Sequence, residues 1–328
     1  WVIVPVTTRI DAVRDLLQSL SAQTFRNFEV IIVEDGSTEP CRETVETFKD
    51  RLDVKYFFKE NEGRSIARNH GIERSSGGYL IFFDSDCVIP PDYFEILDRE
   101  LTANPLDCFG GPDAAHPSFT PTQKAISFAM TSFLTTGGIR GGKVQMEKFV
   151  PRSFNMGYSR QVYDRVGGFR EMFSEDIDMS TRIRQAGFSI GLIHPAHVFH
   201  KRRIDFKRFW RQVYVFGMSR ITLKLLYPDS LKLVHTLPAL AVIIGTVLVA
   251  LGIFVSPWWL LPIGLYLVAL FIAAMISTRS PGIAMRAVPA AIVQICGYGC
   301  GFIKAWFTKI LLRRGRNIAE EIELRKGK

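Results

Sequence analysis

Two carboxylates one residue apart close the stretch YLIFFDSDC, Tyr79 to Cys87. The apolar run behind Gly77 and Gly78 reads as a short buried strand. Side chains alternate along a strand, so Asp84 and Asp86 should point to the same side of its carboxyl end. In a doubly wound sheet that end faces the ligand crevice. Two hard oxygen ligands there suit Mg²⁺ or Mn²⁺ held jointly with a phosphate, because such ions keep positions open for substrate oxygens. A capping turn would also place Asp after a strand, and a lone DxD arises by chance. A second acidic pair, Glu175-Asp176, follows Ser174, which can cap a helix running to Ala186; acids in a first turn also favour the helix dipole. Asp35 ends another apolar run, and a carboxylate at a strand end can accept bonds from a base N–H or from ribose hydroxyls, a placement it shares with Asp84. Arg64 and Arg68 could approach a base or diphosphate, or form a solvated basic helix face. His194, His197 and His200 are spaced three apart. A zinc site needs a second ligand cluster of matching spacing, and there is none.

The elements that must position these groups alternate. Trp1 to Pro5 reads as a strand, followed by a helix from Asp11, a plausible N-cap, to about Ala22. Phe28 to Val33 is a second strand, ending at Glu34-Asp35-Gly36-Ser37. A β-α-β unit of this length implies parallel strands and a right-handed crossover, so Pro5 to Thr7 and Glu34 to Ser37 should meet at one edge. Val54 to Phe58 supplies a third strand, Gly63 to Arg74 a helix, Tyr79 to Phe83 the central strand and Asp92 to Ala103 another helix. The alternation argues for a nucleotide-binding α/β domain with a mostly parallel sheet flanked by helices. No GxGxxG follows the first strand and no GxxxxGK[ST] occurs, so neither an ordinary dinucleotide fold nor a phosphate-loop NTPase fits. Ser189 to Ile193 and His197 to His200 read as short strands. Gly137 to Gly142 is too glycine-rich to be regular, a lid or a plain surface loop.

Read together, VPVTTR, EDGS, NEGRSIARNHG, FFDSDC and SEDID resemble, in order and spacing, the family 2 inverting glycosyltransferases of GT-A fold. The resemblance runs from about Val2 to Gly217. It implies a nucleotide-diphosphate-sugar donor, a divalent metal (Mn²⁺ or Mg²⁺) and inversion at the anomeric carbon. In that family the first strand end and the EDGS-type Asp hold the base, here Pro5, Val6, Thr7 and Asp35, and the helix bearing Arg64 and Arg68 packs beside the nucleotide. Asp84 would lie near the ribose or sugar and Asp86 on the metal, with His200 nominated to complete its shell. Asn155 and Gly157 fall where the family shapes its sugar pocket. The resemblance makes Asp176 the base that deprotonates the acceptor hydroxyl and leaves Glu175 to position acceptor or lid. Arg208, Trp210 and Arg211 stand where processive members carry QxxRW, a motif absent here; they would close over diphosphate from a basic, aromatic helix suited to a membrane surface.

The C-terminal third has a different composition. Leu237 to Val255 and Trp258 to Ile276 carry no charge, each about 19 residues, roughly enough to cross a bilayer core. Ile283 to Leu312 is apolar but interrupted by Gln294, three glycines and Lys304, and reads as re-entrant, interfacial or a weak third crossing. The net charge of +9 gathers around this part, with Lys201, Arg202, Arg203, Lys207, Arg208 and Arg211 before it and Arg313, Arg314 and Arg316 after it. Beside spanning helices such clusters mark the cytoplasmic face and anionic lipid rather than nucleic acid. The five cysteines are scattered and odd in number, as in a reducing compartment. The organisation expected is therefore a cytosolic catalytic domain over residues 1–203, a basic interfacial helix region over 204–234 and a membrane region of two to three helices over 235–328. Because the chain opens directly in a strand without Met, further residues are expected upstream. The function expected is transfer from a nucleotide sugar, UDP being the family's commonest carrier, to a lipid-linked or glycan acceptor. A polyprenyl-phosphate acceptor is the close rival, and a catalytically silent scaffold of a synthase complex the non-enzymatic one.

Overall fold

The computed structural model describes residues 1–114, 116–137, 149–201 and 205–312. In chain order the elements are β1 (Val2–Val6), α1 (Ile10–Ser21), β2 (Val30–Asp35), α2 (Arg42–Glu46), β3 (Val54–Lys59), α3 (Arg64–Glu73), β4 (Tyr79–Phe82), β5 (Cys87–Val88), α4 (Tyr93–Ala103), β6 (Cys108–Gly110) and β7 (Asp113–Ala114). Then come α5 (Pro121–Thr131), α6 (Phe133–Thr136), β8 (Met156–Ser159), α7 (Arg160–Val166), α8 (Glu175–Gln185), β9 (Ile190–Leu192), β10 (Val198–His200), α9 (Phe206–Leu226), α10 (Leu233–Phe254), α11 (Leu261–Thr278) and α12 (Pro281–Ala305). The chain divides into two compact units, one of Trp1–His116 with Phe149–Lys201, the other of Pro117–Lys148 with Arg202–Lys328.

The first unit is built on a seven-stranded sheet of order β3-β2-β1-β4-β8-β6-β9. Its strands are parallel except β8, which runs antiparallel to both β4 and β6. Along β1 the pleat sends Val2, Val4 and Val6 into one apolar cluster and Ile3 into another. A strand with apolar residues on both sides must be covered on both faces, so a continuous hydrophobic run, not an alternating one, marks the middle of such a sheet. Each fully buried Val or Ile contributes about 1.5–3 kcal/mol. Beside the large sheet lies a three-stranded one, β5-β10-β7, in which β10 pairs antiparallel with β5 and places His200 opposite Cys87.

Most expected elements are present with shifted ends. The β1 and β2 ends meet as expected, with Val6 opposite Glu34 and the Thr8 amide donating to Ser37 Oγ at 2.7 Å. Helix α1 begins at Ile10, with Arg9 at the N-cap position and Asp11 inside the first turn; Asp11 is not the cap. Strand β4 stops at Phe82, so Asp84 and Asp86 lie on the turn beyond it, closed by the Cys87 amide bonding Asp84 O at 3.1 Å. Turn geometry, not strand alternation, sets their direction.

The second unit is helical. Helices α10 and α11 and the continuous stretch from Pro281 to Leu311 are each long and apolar enough to cross a membrane. Large apolar side chains on α10 and α11, among them Ile243, Val247, Leu265 and Ile272, are exposed. Helices α9 and α12 approach so closely that a Cβ on Gly217 would lie 2.0 Å from Tyr298 O, and one on Gly301 2.0 Å from Tyr214 O. Small residues let helix backbones meet in this way. Of the basic residues singled out in the sequence, Arg202, Arg203, Arg313, Arg314 and Arg316 lie outside the described residues, as does 138–142 of the glycine-rich stretch.

Candidate active site

Asp84 and Asp86 converge with His200. The imidazole Nε2 is 3.1 Å from Asp86 Oδ1 and 4.0 Å from Asp84 Oδ2. The β5–β10 pairing brings them together, and the Lys201 amide bonds Asp86 O at 3.0 Å just beyond it. The imidazole stacks on Phe154 at 4.6 Å, and its other nitrogen, Nδ1, is buried with no hydrogen-bond partner among the described residues. His194 and His197 do not join this group. Ligand atoms of Asp86, Cys87 and His200 lie within 4.8 Å of one another. Cys87 is the poorest donor of the three: burial, then the charges of Asp86 and Asp84, push its thiol far up, and only a thiolate ligates well. Two carboxylates suit Mn²⁺ or Mg²⁺, and the imidazole nitrogen, a softer donor, favours Mn²⁺ of the two. Asp86 also accepts a bond from Arg9 Nη1.

Behind this group lies a chain of charged bonds. Arg68, fully buried, donates to Asp84 Oδ1 at 2.8 Å, Glu175 Oε1 at 2.9 Å and Ser153 Oγ at 3.0 Å. Arg64 donates to the second Glu175 oxygen at 2.9 Å. Burial would lower the Arg64 pKa, but the charges of Glu175, Asp84 and Asp176 outweigh it and hold the guanidinium protonated. Arg68, read from the sequence as approaching a base or diphosphate, is thus an interior strut, and Glu175, read as positioning acceptor or lid, is its buried counter-charge. Asp176 lies one residue on at the start of α8. Its Oδ1 accepts the Ile177 amide at 2.8 Å, while Oδ2 is 3.8 Å from Arg152 Nη1. Ser174 does not cap α8 through its side chain; its φ is +67°, in the left-handed region. A non-glycine residue held there costs on the order of 1–3 kcal/mol, a strain that recurs at functional sites.

Asp35 is buried, with Oδ1 taking the Glu62 amide and Lys59 Nζ and Oδ2 taking the Gly63 amide, all at 2.8–2.9 Å. Its carboxylate thus fastens the loop into α3. Gly36 beside it has φ +63°, and a Cβ there would lie 2.5 Å from the Asn61 amide nitrogen, so only glycine suits this turn. Pro5, Val6 and Thr7 line the end of β1, with only Thr7 exposed. Asn155 is wholly interior, accepting from Tyr93 Oη at 2.5 Å and donating to Ala196 O at 2.9 Å, and Gly157 packs under the Phe109 ring; both shape their surroundings from inside. Arg208, Trp210 and Arg211 are on α9, in the second unit. Sequence reasoning missed Arg9, Arg152 and Ser153. Arg9 carried a signal, ending the VPVTTR stretch beside the crevice; the other two had none, because their partners are distant in sequence.

A parallel-stranded α/β sheet with one antiparallel strand, carboxylates beyond the central strand and a buried acidic helix start define a glycosyltransferase of GT-A type. A mannosyltransferase, PcManGT from Pyrobaculum calidifontis, solved in complex with GDP-Man and Mn²⁺, shares the fold with a TM-score of 0.56 at 17% identity, over 95% of this chain and 87% of that one. The model of the glycosyl transferase family 2 matches residues 1–167, and the chain belongs to that family. Glycosyltransferase AglE of Haloferax volcanii is 26% identical over 252 residues, 74% of this chain and 80% of that protein. An uncharacterized glycosyltransferase of Rickettsia conorii is 42% identical over 103 residues, 31% of this chain. The chain spans only 15–17% of the length of the Rickettsia relatives it matches.

Proposed function

We propose that the protein is a membrane-anchored inverting glycosyltransferase that moves a sugar from a nucleotide-diphosphate donor to a hydroxyl of a lipid-linked or glycan acceptor, with a divalent metal at the donor diphosphate. The observation that carries this reading is the meeting of Asp84, Asp86 and His200 at the end of the Arg64–Arg68–Glu175 chain, with Asp176 at the head of the neighbouring helix. Asp86 and His200, with Asp84 beside them, would hold the metal, which when bound offsets charge developing on the leaving diphosphate.

The protein's own groups supply the rest. Pro5, Val6, Thr7 and the Asp35 turn form the edge that receives the base. Arg9, half exposed on Asp86, is within reach of a diphosphate there. The Ile177 amide fixes one oxygen of Asp176 and leaves the other to take the acceptor hydroxyl proton as that oxygen attacks the anomeric carbon. The bond from that carbon to the diphosphate oxygen breaks on the opposite face, so configuration inverts. Buried Arg68, bonded to both, holds Asp84 and Glu175 in place throughout. The apolar helices α10 to α12 support anchoring, and the basic face of α9 supports a cytoplasmic setting for the catalytic unit.

Donor titration by calorimetry with and without Mn²⁺, using UDP- and GDP-sugars, tests the reading. Binding should be Mn²⁺-dependent in the unsubstituted protein and lose that dependence in Asp86→Ala. Unchanged Mn²⁺-dependent affinity in the variant would overturn the metal assignment.

A further inference from the structure

The segment from Pro117 to Gly137 leaves β7 of the first unit, yet it groups with the C-terminal helices, and by Phe149 the chain is back in the first unit. Both of its ends therefore join the same unit, and whatever medium it enters it must leave on the same side. From Ala125 to Ile139 the sequence carries no charge. A surface helix of a soluble protein carries polar and charged groups on its outer face; α5 carries its one charge, Lys124, at its start, and Thr131 at its end turns its hydroxyl back onto Ser127 O. There Thr120 and Gln123 form a reciprocal capping box and Lys124 Nζ donates to Pro117 O at 2.7 Å. Beyond it Ala125, Ile126, Ala129 and Met130 are buried in the cluster that includes Leu270 of α11 and Ala287 of α12.

The helix then breaks. Ser132 is extended, with ψ 138°, and α6 starts anew at Phe133. A break frees backbone carbonyls, which water would satisfy on a solvent-facing loop but which cost several kcal/mol each in lipid unless the protein satisfies them. Of the carbonyls freed here, Ala129 O receives the Thr135 hydroxyl at 2.6 Å. The Ser132 carbonyl takes the Thr135 and Thr136 amides, and the Thr131 and Thr136 hydroxyls turn back onto Ser127 O at 2.9 Å and Ser132 O at 3.0 Å instead of outward. Leu134 O receives the Tyr266 hydroxyl at 2.9 Å, from within α11. Phe133 and Leu134 remain exposed beside that bond, 51% and 40%.

We infer that α5 and α6 form a membrane-inserted segment that does not span: it enters the bilayer beside α11 and α12, and Phe133 and Leu134 face lipid acyl chains. This rests on the membrane anchoring proposed above. The full chain, reconstituted in phosphatidylcholine vesicles, would carry an environment-sensitive fluorophore on Leu134→Cys, Val247→Cys in α10 or Phe58→Cys in β3, with the signal of the unsubstituted chain subtracted. The three sites have similar exposure, 40%, 51% and 49%, so they differ only in what surrounds them. Lipids with a nitroxide on the acyl chain should quench the Leu134 and Val247 probes to a similar extent, and aqueous iodide should quench both severalfold less than the Phe58 probe. Tyr266→Phe should raise iodide quenching at Leu134 without changing it at Val247. If the Leu134 probe behaves like Phe58 while Val247 stays lipid-quenched, the insertion is wrong and the anchoring stands. If Val247 also behaves like Phe58, both fall.

Discussion

Asp176 is the residue at which chemistry and helix capping can be separated. Its Oδ1 accepts the Ile177 amide, a bond the amide oxygen of Asn can keep. Asp176→Asn should therefore leave folding and donor affinity intact while turnover falls roughly 10²-fold or more. Near-normal turnover measured at saturating donor would reduce Asp176 to a cap. A mild loss with a raised acceptor KM would point to a phosphate acceptor, already ionised and in little need of a base. Arg68 makes the opposite forecast. Its guanidinium is fully buried between Asp84 and Glu175, and removing one partner of a buried ion pair costs about 3–5 kcal/mol because the remaining charge is stranded. Arg68→Met should show that loss in denaturant unfolding, along with weakened donor binding; loss of donor binding at unchanged stability would instead make it a direct ligand.

At the scale of elements, the α2–β2–β3 contact carries a pH dependence. Glu34 Oε2 accepts the Cys41 amide at 2.8 Å and the Tyr56 hydroxyl at 2.5 Å. Burial, then the charge of Glu34, pushes the Cys41 thiol up from 9.0 to about 12. The folded state keeps a proton that the unfolded chain releases, so this group's contribution is complete below its unfolded value and is lost as pH rises from 9.0 towards about 12. Urea unfolding at pH 8 and 10.5 should show a steeper alkaline loss in the native chain than in Cys41→Ala; equal slopes would remove the thiol from the account. In the helical unit, Gly301→Val would drive a side chain into the Tyr214 carbonyl. Helices α9 and α12 should separate, seen as a lowered Tm and poor recovery from membranes, whereas Gly245→Ala, in open space on α10, should be silent.

For the whole molecule, the interruption of the catalytic unit by Pro117–Lys148 decides what a soluble fragment requires. Cutting after Lys201 removes the helices that cover Ala125, Ile126, Ala129 and Met130, leaving an apolar face exposed. That fragment should aggregate on size-exclusion chromatography. Replacing residues 117–148 by a short Gly/Ser linker in the same fragment should restore a monomeric peak, and continued aggregation would show that the first unit depends on the second for stability.

Strands β1 to β4, β9 and β10, the DxD pair after β4, the acidic helix start and two of the apolar helices were legible in the sequence because most are local patterns: a buried apolar run, a charge at its end, an uncharged stretch of membrane length. Strands β5 to β8 were not, being two to four residues long, and the turn that aims Asp84 and Asp86 was read as strand alternation. Five ordered motifs also made the family readable. The family resemblance nominated His200 beside Asp86, and the pairing of β10 with β5 is what brings them together. Tertiary structure alone decided the other partners: Arg68 and Glu175 pair across more than a hundred residues of chain, and Asp35 and Asn155 turn inward to hold loops. The grouping of α5 and α6 with the C-terminal helices comes from the long-range burial of the α5 face and from a tyrosine in α11 that bonds Leu134 O of α6, since a sequence pattern states that a face must be buried but not against what.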